Sequence, residues 1–297
     1  MNLSTSSSSS AWCLLRDLVL YALLVVLTYT GLCYVFYTRP HLLIGEQGWI
    51  STYRRVDRAQ EALPYKTVYL GDSVGAQFFP FQHMPNALTV NGAVLMAGQL
   101  VLAGMASEHP DVERIVLAIT PESLLRPFEH EMTFNNYVKP FYSRGNRAYI
   151  LPITDEKVAR HRWGVFSRHV PVKFLPFSDV NYGWGSGKHD TIPHGERDVR
   201  EASRYAVEHI QHLVSLVETR GKRVVFVSPP VSRSRHDASK GYRASRSILQ
   251  QAGLSGHFDH YFDQMIVLED AAFTDKMHLN PRRLPELKQA LAALLER

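Results

Sequence analysis

Thr67-Val68-Tyr69-Leu70-Gly71-Asp72-Ser73 is the stretch on which the fold turns. Thr67 to Leu70 favour a strand. Gly71 breaks it, and an aspartate and a serine stand where a helix would begin. The first N–H groups of such a helix have no partner within it. Two readings follow. Asp72-Ser73 caps the helix, or Ser73 is a nucleophile placed where those N–H groups can stabilise an oxyanion. Gly75, two residues on, permits close approach.

Working outward, short apolar strands alternate with helical patterns. Leu88 to Val90 reads as a second strand and Ala93 to Ser107 as a helix of small residues. Arg114 to Ile119 is a third strand, ending at Thr120-Pro121. Arg197 to Thr219 keeps Val199, Ala202, Ala206, Ile210, Leu213 and Val217 at helical spacing. Gly221 ends it, Val224 to Val227 follows as a buried strand, and Pro229-Pro230 breaks that strand. Tyr242 to Gln251 is a helix and Met265 to Leu268 a last strand. Leu284, Leu287, Leu291 and Leu294 form the buried stripe of a closing helix. This rhythm predicts an α/β domain over residues 65–297, with a mostly parallel sheet covered on both faces, a three-layer α/β/α arrangement. Residues 126–195 break the rhythm. They are rich in aromatics, among them Phe128, Tyr137, Tyr142, Trp163, Tyr182 and Trp184, and read as an insertion over the strand ends. The aromatics serve either as a platform for sugar rings or as the insertion's own small core.

Near the other end stands Asp275-Lys276-Met277-His278-Leu279-Asn280, just before the closing helix. A serine, a histidine and a carboxylate are the parts that make a hydroxyl nucleophilic. His278 would take the Ser73 proton, and Asp275 would hold the imidazole in the right tautomer. The bland alternatives are a helix cap for Asp275 and a half-buried loop histidine for His278. An open α/β sheet can bring such distant segments to one edge.

Gly71-Asp72-Ser73 after a first strand, with Asp275-x-x-His278 before a C-terminal helix, resembles the GDSL/SGNH serine hydrolase superfamily. The resemblance implies an esterase or O-acyltransferase with Ser73, His278 and Asp275 as its catalytic residues. It also implies an oxyanion hole completed by a glycine in a second block, for which Asn91-Gly92 and Gly98 compete. The third block usually supplies an asparagine, and here Ile119-Thr120-Pro121-Glu122-Ser123 has none. That departure is shared by the branch resembling alginate O-acetylation proteins and the D-alanyl-lipoteichoic acid biosynthesis protein. The branch implies an acylated polysaccharide substrate outside the cytoplasmic membrane, with a membrane-bound O-acyltransferase as a possible partner. The competing expectation is an inactive glycan-binding or assembly module.

Composition bounds these readings. The 297 residues carry a formal net charge of +5 and two cysteines, Cys13 and Cys33, both in the N-terminal segment. The body therefore has no thiol nucleophile and no cysteine-rich zinc site. No cofactor is expected, and His257, Asp259, His260 and Asp263 lack a convincing metal geometry. Arg233, Arg235, Lys240 and Arg243 read as a solvated loop rather than a nucleic-acid patch. Leu18 to Tyr37 is uncharged and long enough to cross a bilayer. The expected order is a disordered cytoplasmic tail (1–17), a transmembrane anchor (18–37), a connector (38–64) and the domain. Arg39, Arg54, Arg55 and Arg58 after the span argue weakly against export of the body. The resemblance argues for a periplasmic or extracellular body, and that topology is the expectation carried forward.

Overall fold

A computed structural model describes residues 8–38, 50–81, 83–90, 96–125, 141, 146–152, 196–238, 240–275 and 277–295. The protein is a mixed α/β molecule with a small parallel sheet and one apolar N-terminal helix. Helix α1 runs from Ser8 to Thr38. Its apolar window is Ala11–Leu32, none of it covered by the rest of the described chain. Those 22 residues extend about 33 Å as a helix, enough to cross a bilayer or to serve as a signal sequence. The helix therefore begins inside the expected disordered tail. Ala11 to Leu15 are apolar or small, and Arg16 donates to Asp17 at 2.9 Å, so the two charges offset one another.

The expected connector also contains structure. Helix α2, Ile50–Gln60, buries Tyr53, Val56 and Ala59. Arg55 is 1% exposed. Its Nε donates to the Thr89 carbonyl at 3.1 Å, and its guanidinium lies 3.8 Å from the centre of the Phe81 ring. The body thus includes α2 rather than starting at residue 65. Arg55 belongs to the fold, and Arg58 donates to Glu61 at 2.9 Å.

Strand β1, Thr67–Gly71, leads through Asp72 into α3, Ser73–Phe78. Helix α4, Met96–Glu108, is buried on all sides. It lies against α2, β1 and the later helix α5. Strand β2, Arg114–Ala118, pairs in parallel with β1 and with β3, Arg223–Val227. The expected strand at Leu88 to Val90 does not form as a strand: the chain meets β1 at one isolated parallel bridge, Ala87 to Tyr69, beside which Leu88 N–H donates to the Tyr69 carbonyl and Val90 N–H to that of Gly71. Helix α5, Glu196–Thr219, ends at Gly221, whose φ of 72° is the left-handed value that favours glycine there. Beyond Pro229-Pro230 the chain resumes as β4, Val231–Ser232, paired in parallel with β5, Val267–Leu268. Between them lie α6, Arg233–Ala238, α7, Lys240–Gln251, and α8, Ser255–Asp263. The expected basic loop is thus helical, and Arg233 pairs with Glu269 at 2.9 Å. The closing helix α9 is Leu284–Leu295.

The six named aromatics of 126–195 lie outside the described residues. Phe141 and Tyr149, from the same stretch, are buried in the main core. A Cβ at Gly104 would stand 2.4 Å from the Tyr149 ring, so glycine lets that ring lie flat on α4.

Candidate active site

Parallel pairing sets Gly71, Ala118 and Val227 side by side at one edge of the sheet. The residues just beyond that edge build the site. Asp72 caps α3: one oxygen, Oδ1, accepts from Val74 N–H at 3.0 Å and Gly75 N–H at 3.1 Å. Its other oxygen, Oδ2, accepts from Thr120 N–H at 3.1 Å, Thr120 Oγ1 at 3.1 Å and Ser123 Oγ at 2.6 Å. The carboxylate is buried and spends both oxygens tying the end of β1 to the end of β2. Of the two readings of Asp72-Ser73, the cap is made by Asp72, and the Ser73 hydroxyl is left to point elsewhere.

That hydroxyl meets His278. Ser73 Oγ stands 3.1 Å from Nε2, and Nδ1 stands 2.8 Å from Asp275 Oδ2. A carboxylate only accepts, so Nδ1 carries the proton and Nε2 accepts from the serine. Asp275 caps no helix; it holds the turn and the imidazole together. Its Oδ1 takes Met277 N–H at 3.1 Å and His278 N–H at 2.7 Å, while Oδ2 takes the imidazole. Partial burial pushes the Asp275 carboxyl up. The His278 N–H, the imidazole and the Met277 N–H outweigh it and hold the group below its ordinary value. The loop is closed by Thr274 N–H donating to the His278 carbonyl at 2.8 Å and by Asn280 N–H donating to that of Ala272 at 2.9 Å. Asn280 then caps the turn into α9 by accepting from Arg282 N–H, as its place before Pro281 suggests.

The oxyanion assignments fare differently. The Gly75 N–H is taken by Asp72, so it offers an oxyanion nothing. A Cβ at Gly75 would stand 2.3 Å from the Ala118 carbonyl oxygen. Its close approach is that of α3 to β2, not of a ligand. A Cβ at Gly71, at the end of β1, would likewise stand 2.3 Å from the Ala118 carbonyl oxygen, so that glycine also answers to neighbouring backbone. Gly98 is buried in the first turn of α4, and Asn91 and Gly92 lie outside the described residues. With Val74 and Gly75 bound to Asp72, Ser73 keeps the one N–H in the first turn of α3 that has no partner among the described residues. Where the resemblance would call for a third-block asparagine stand Thr120 and Ser123. Both point to Asp72 and to each other, 3.0 Å apart. Their role was hidden in the sequence, where only the missing asparagine could be read.

Among the described residues no three His, Cys, Asp or Glu side chains gather to hold a metal ion. His257 stands 2.9 Å from Glu218, Asp263 pairs with Arg246, and His260 meets Gln264. Compared with known proteins, the chain matches no family model, no curated protein and no solved structure.

Proposed function

We propose that the chain is a membrane-anchored serine esterase or O-acyltransferase of the SGNH kind, with the three-layer α/β/α arrangement of that superfamily. The observation that carries this reading is the continuous relay Asp275–His278–Ser73, with bonds of 2.8 and 3.1 Å between segments about two hundred residues apart. In this reading Ser73 Oγ attacks an ester carbonyl while its proton passes to His278 Nε2. The oxyanion takes the Ser73 N–H. The C–O bond to the leaving alcohol breaks, the imidazolium returns the proton to that alcohol, and an acyl-Ser73 ester remains. Water or a sugar hydroxyl then attacks it, with His278 again as base. Asp275 stabilises the imidazolium.

The uncovered apolar helix α1 supports anchoring in the cytoplasmic membrane. The arginines after the span still argue weakly against export, but the rule is weakest for a large trailing domain, and the resemblance supports a body outside the membrane. With the body outside, a cell-envelope or extracellular polysaccharide bearing acyl groups, acetyl first among them, is the proposed substrate. A membrane-bound O-acyltransferase is the proposed partner.

One observation favours a second reading, an inactive glycan-binding or assembly module. Thr120 and Ser123 spend their hydroxyls on Asp72, so neither supplies the oxyanion donor that an asparagine would. A fluorophosphonate probe separates the two. Covalent labelling at Ser73 in the full-length protein is expected of the enzyme. No labelling, with no turnover of p-nitrophenyl acetate and full polymer acylation in cells carrying Ser73→Ala, would leave the module.

A further inference from the structure

We propose that Gln77 is a positioning residue that sets the distance between Ser73 and His278. The inference rests on the reading of that pair as nucleophile and base. Gln77 follows Ser73 by four residues, so the two share one face of α3 a turn apart. Its amide grips a single residue of the histidine loop at two points. Nε2 donates to the Leu279 carbonyl at 3.2 Å, and Oε1 accepts from the Leu279 N–H at 3.1 Å. Leu279 is the neighbour of His278. The bonds form a closed circuit: from Ser73 one turn along α3, across the Gln77 amide to Leu279, back to His278, and through its ring to Ser73.

Nothing else polar does this among the described residues. The bonds of Thr274, Asp275 and Asn280 shape the histidine loop from within but do not reach α3. The apolar seat does reach it: Leu279 is fully buried beside Val74 and Phe78. Dispersion contacts are individually weak and carry little directional preference. Two antiparallel hydrogen bonds to one residue fix both its distance and its rotation. Glutamine alone fits. Glutamate lacks the donor, asparagine is a methylene short, and methionine has the length without either bond.

A displacement of the reacting atoms by about 1 Å can cost about a hundredfold in rate. Loss of the Gln77 pair should therefore lower the chemical step and leave ligand binding alone. A merely structural glutamine would lower the melting temperature and leave the rate per folded molecule unchanged.

The test uses the full-length protein in detergent micelles. The rate of fluorophosphonate labelling is measured for wild type, Gln77→Met and Gln77→Glu, with Ser73→Ala as the blank. A melting curve and the His278 imidazole resonance, assigned with His278→Ala, are recorded beside it. Gln77→Met is expected to label ten- to a hundredfold more slowly per folded molecule, with saturation by the probe unchanged. Gln77→Glu, which keeps the acceptor for the Leu279 N–H, should fall between. Labelling within twofold of wild type per folded molecule overturns the proposal. If Gln77→Met does not fold, Gln77→Glu decides on the same twofold limit. If wild-type Ser73 does not label, the nucleophile reading fails, and the imidazole resonance decides the role of Gln77. A shifted resonance in Gln77→Met upholds the clamp; an unshifted one overturns it.

Discussion

Asp72 and Asp275 flank the same hydroxyl and live in different surroundings. Asp72 is 3% exposed and accepts from three backbone N–H groups and two hydroxyls. The Asp275 side chain is 58% exposed and serves a loop that closes on itself. Ser73 thus follows directly on the joint between two core strands. His278 rides on a surface loop held by a few tethers. In such a division, damage on the Asp72 side should appear as lost stability and damage on the Asp275 side as lost chemistry.

The sharpest break would come at the hydroxyl between them. Ser73→Ala removes one oxygen and no cap, because Asp72 makes the cap. Ester turnover and probe labelling should fall by at least about a thousandfold, with His278→Ala nearly as severe and the double variant no worse. Melting should stay within a degree or two. Full turnover in Ser73→Ala would end the enzyme reading. Next in size is Asp72→Ala. It removes a helix cap, worth about 1 kcal/mol, and strands the Thr120 and Ser123 donors, at about 1 kcal/mol or more each. Denaturant unfolding should show a loss of about 3 kcal/mol. A loss below about 1 kcal/mol would mean that the joint does not depend on this carboxylate, and the contrast between the two aspartates would dissolve.

Much of the fold was legible because it is local. Strand, glycine, aspartate and serine are adjacent, and Asp275 reaches His278 within one turn. What was not legible is what crosses the chain. The bonds from Asp72 to Thr120 and Ser123 span 48 and 51 residues. Without them Pro121-Glu122-Ser123 could only be read as a missing asparagine. Gln77 looked like any polar residue on a short helix, since its partner lies 202 residues away. Helix α2 passed for a connector because Arg54, Arg55, Asp57 and Arg58 suggest a solvated segment. Tyr53, Val56 and Ala59 recur at helical spacing and were the better guide. Gly75 was assigned to the ligand because no periodicity reveals that the Ala118 carbonyl stands against it.

The exposed side of the comparison gives smaller effects. Asp275→Asn keeps an oxygen for the Met277 and His278 N–H groups and loses the negative charge beside the imidazole. Turnover should fall about a hundredfold, short of the ~10⁴-fold known for a buried triad carboxylate, because solvent already screens this one. Its pH signature is the smallest effect and the most specific. The Asp275 carboxyl is held below its ordinary value of 3.8 in the folded protein. Across that window the unfolded chain binds the proton more readily, so stability falls as pH falls. The contribution is complete above the ordinary carboxylate value and is lost as pH drops through the lower folded value. In Asp275→Asn there is no such proton to bind. The stability difference between wild type and variant should therefore stay flat above about pH 5 and narrow below about pH 4. For a side chain this exposed its size should be well under about 1 kcal/mol. Urea unfolding of both proteins between about pH 6 and pH 3 measures it. A difference that grew toward acid would reverse the sign, and would mean that the bonds from the Met277 and His278 N–H groups do not favour the charged form of Asp275.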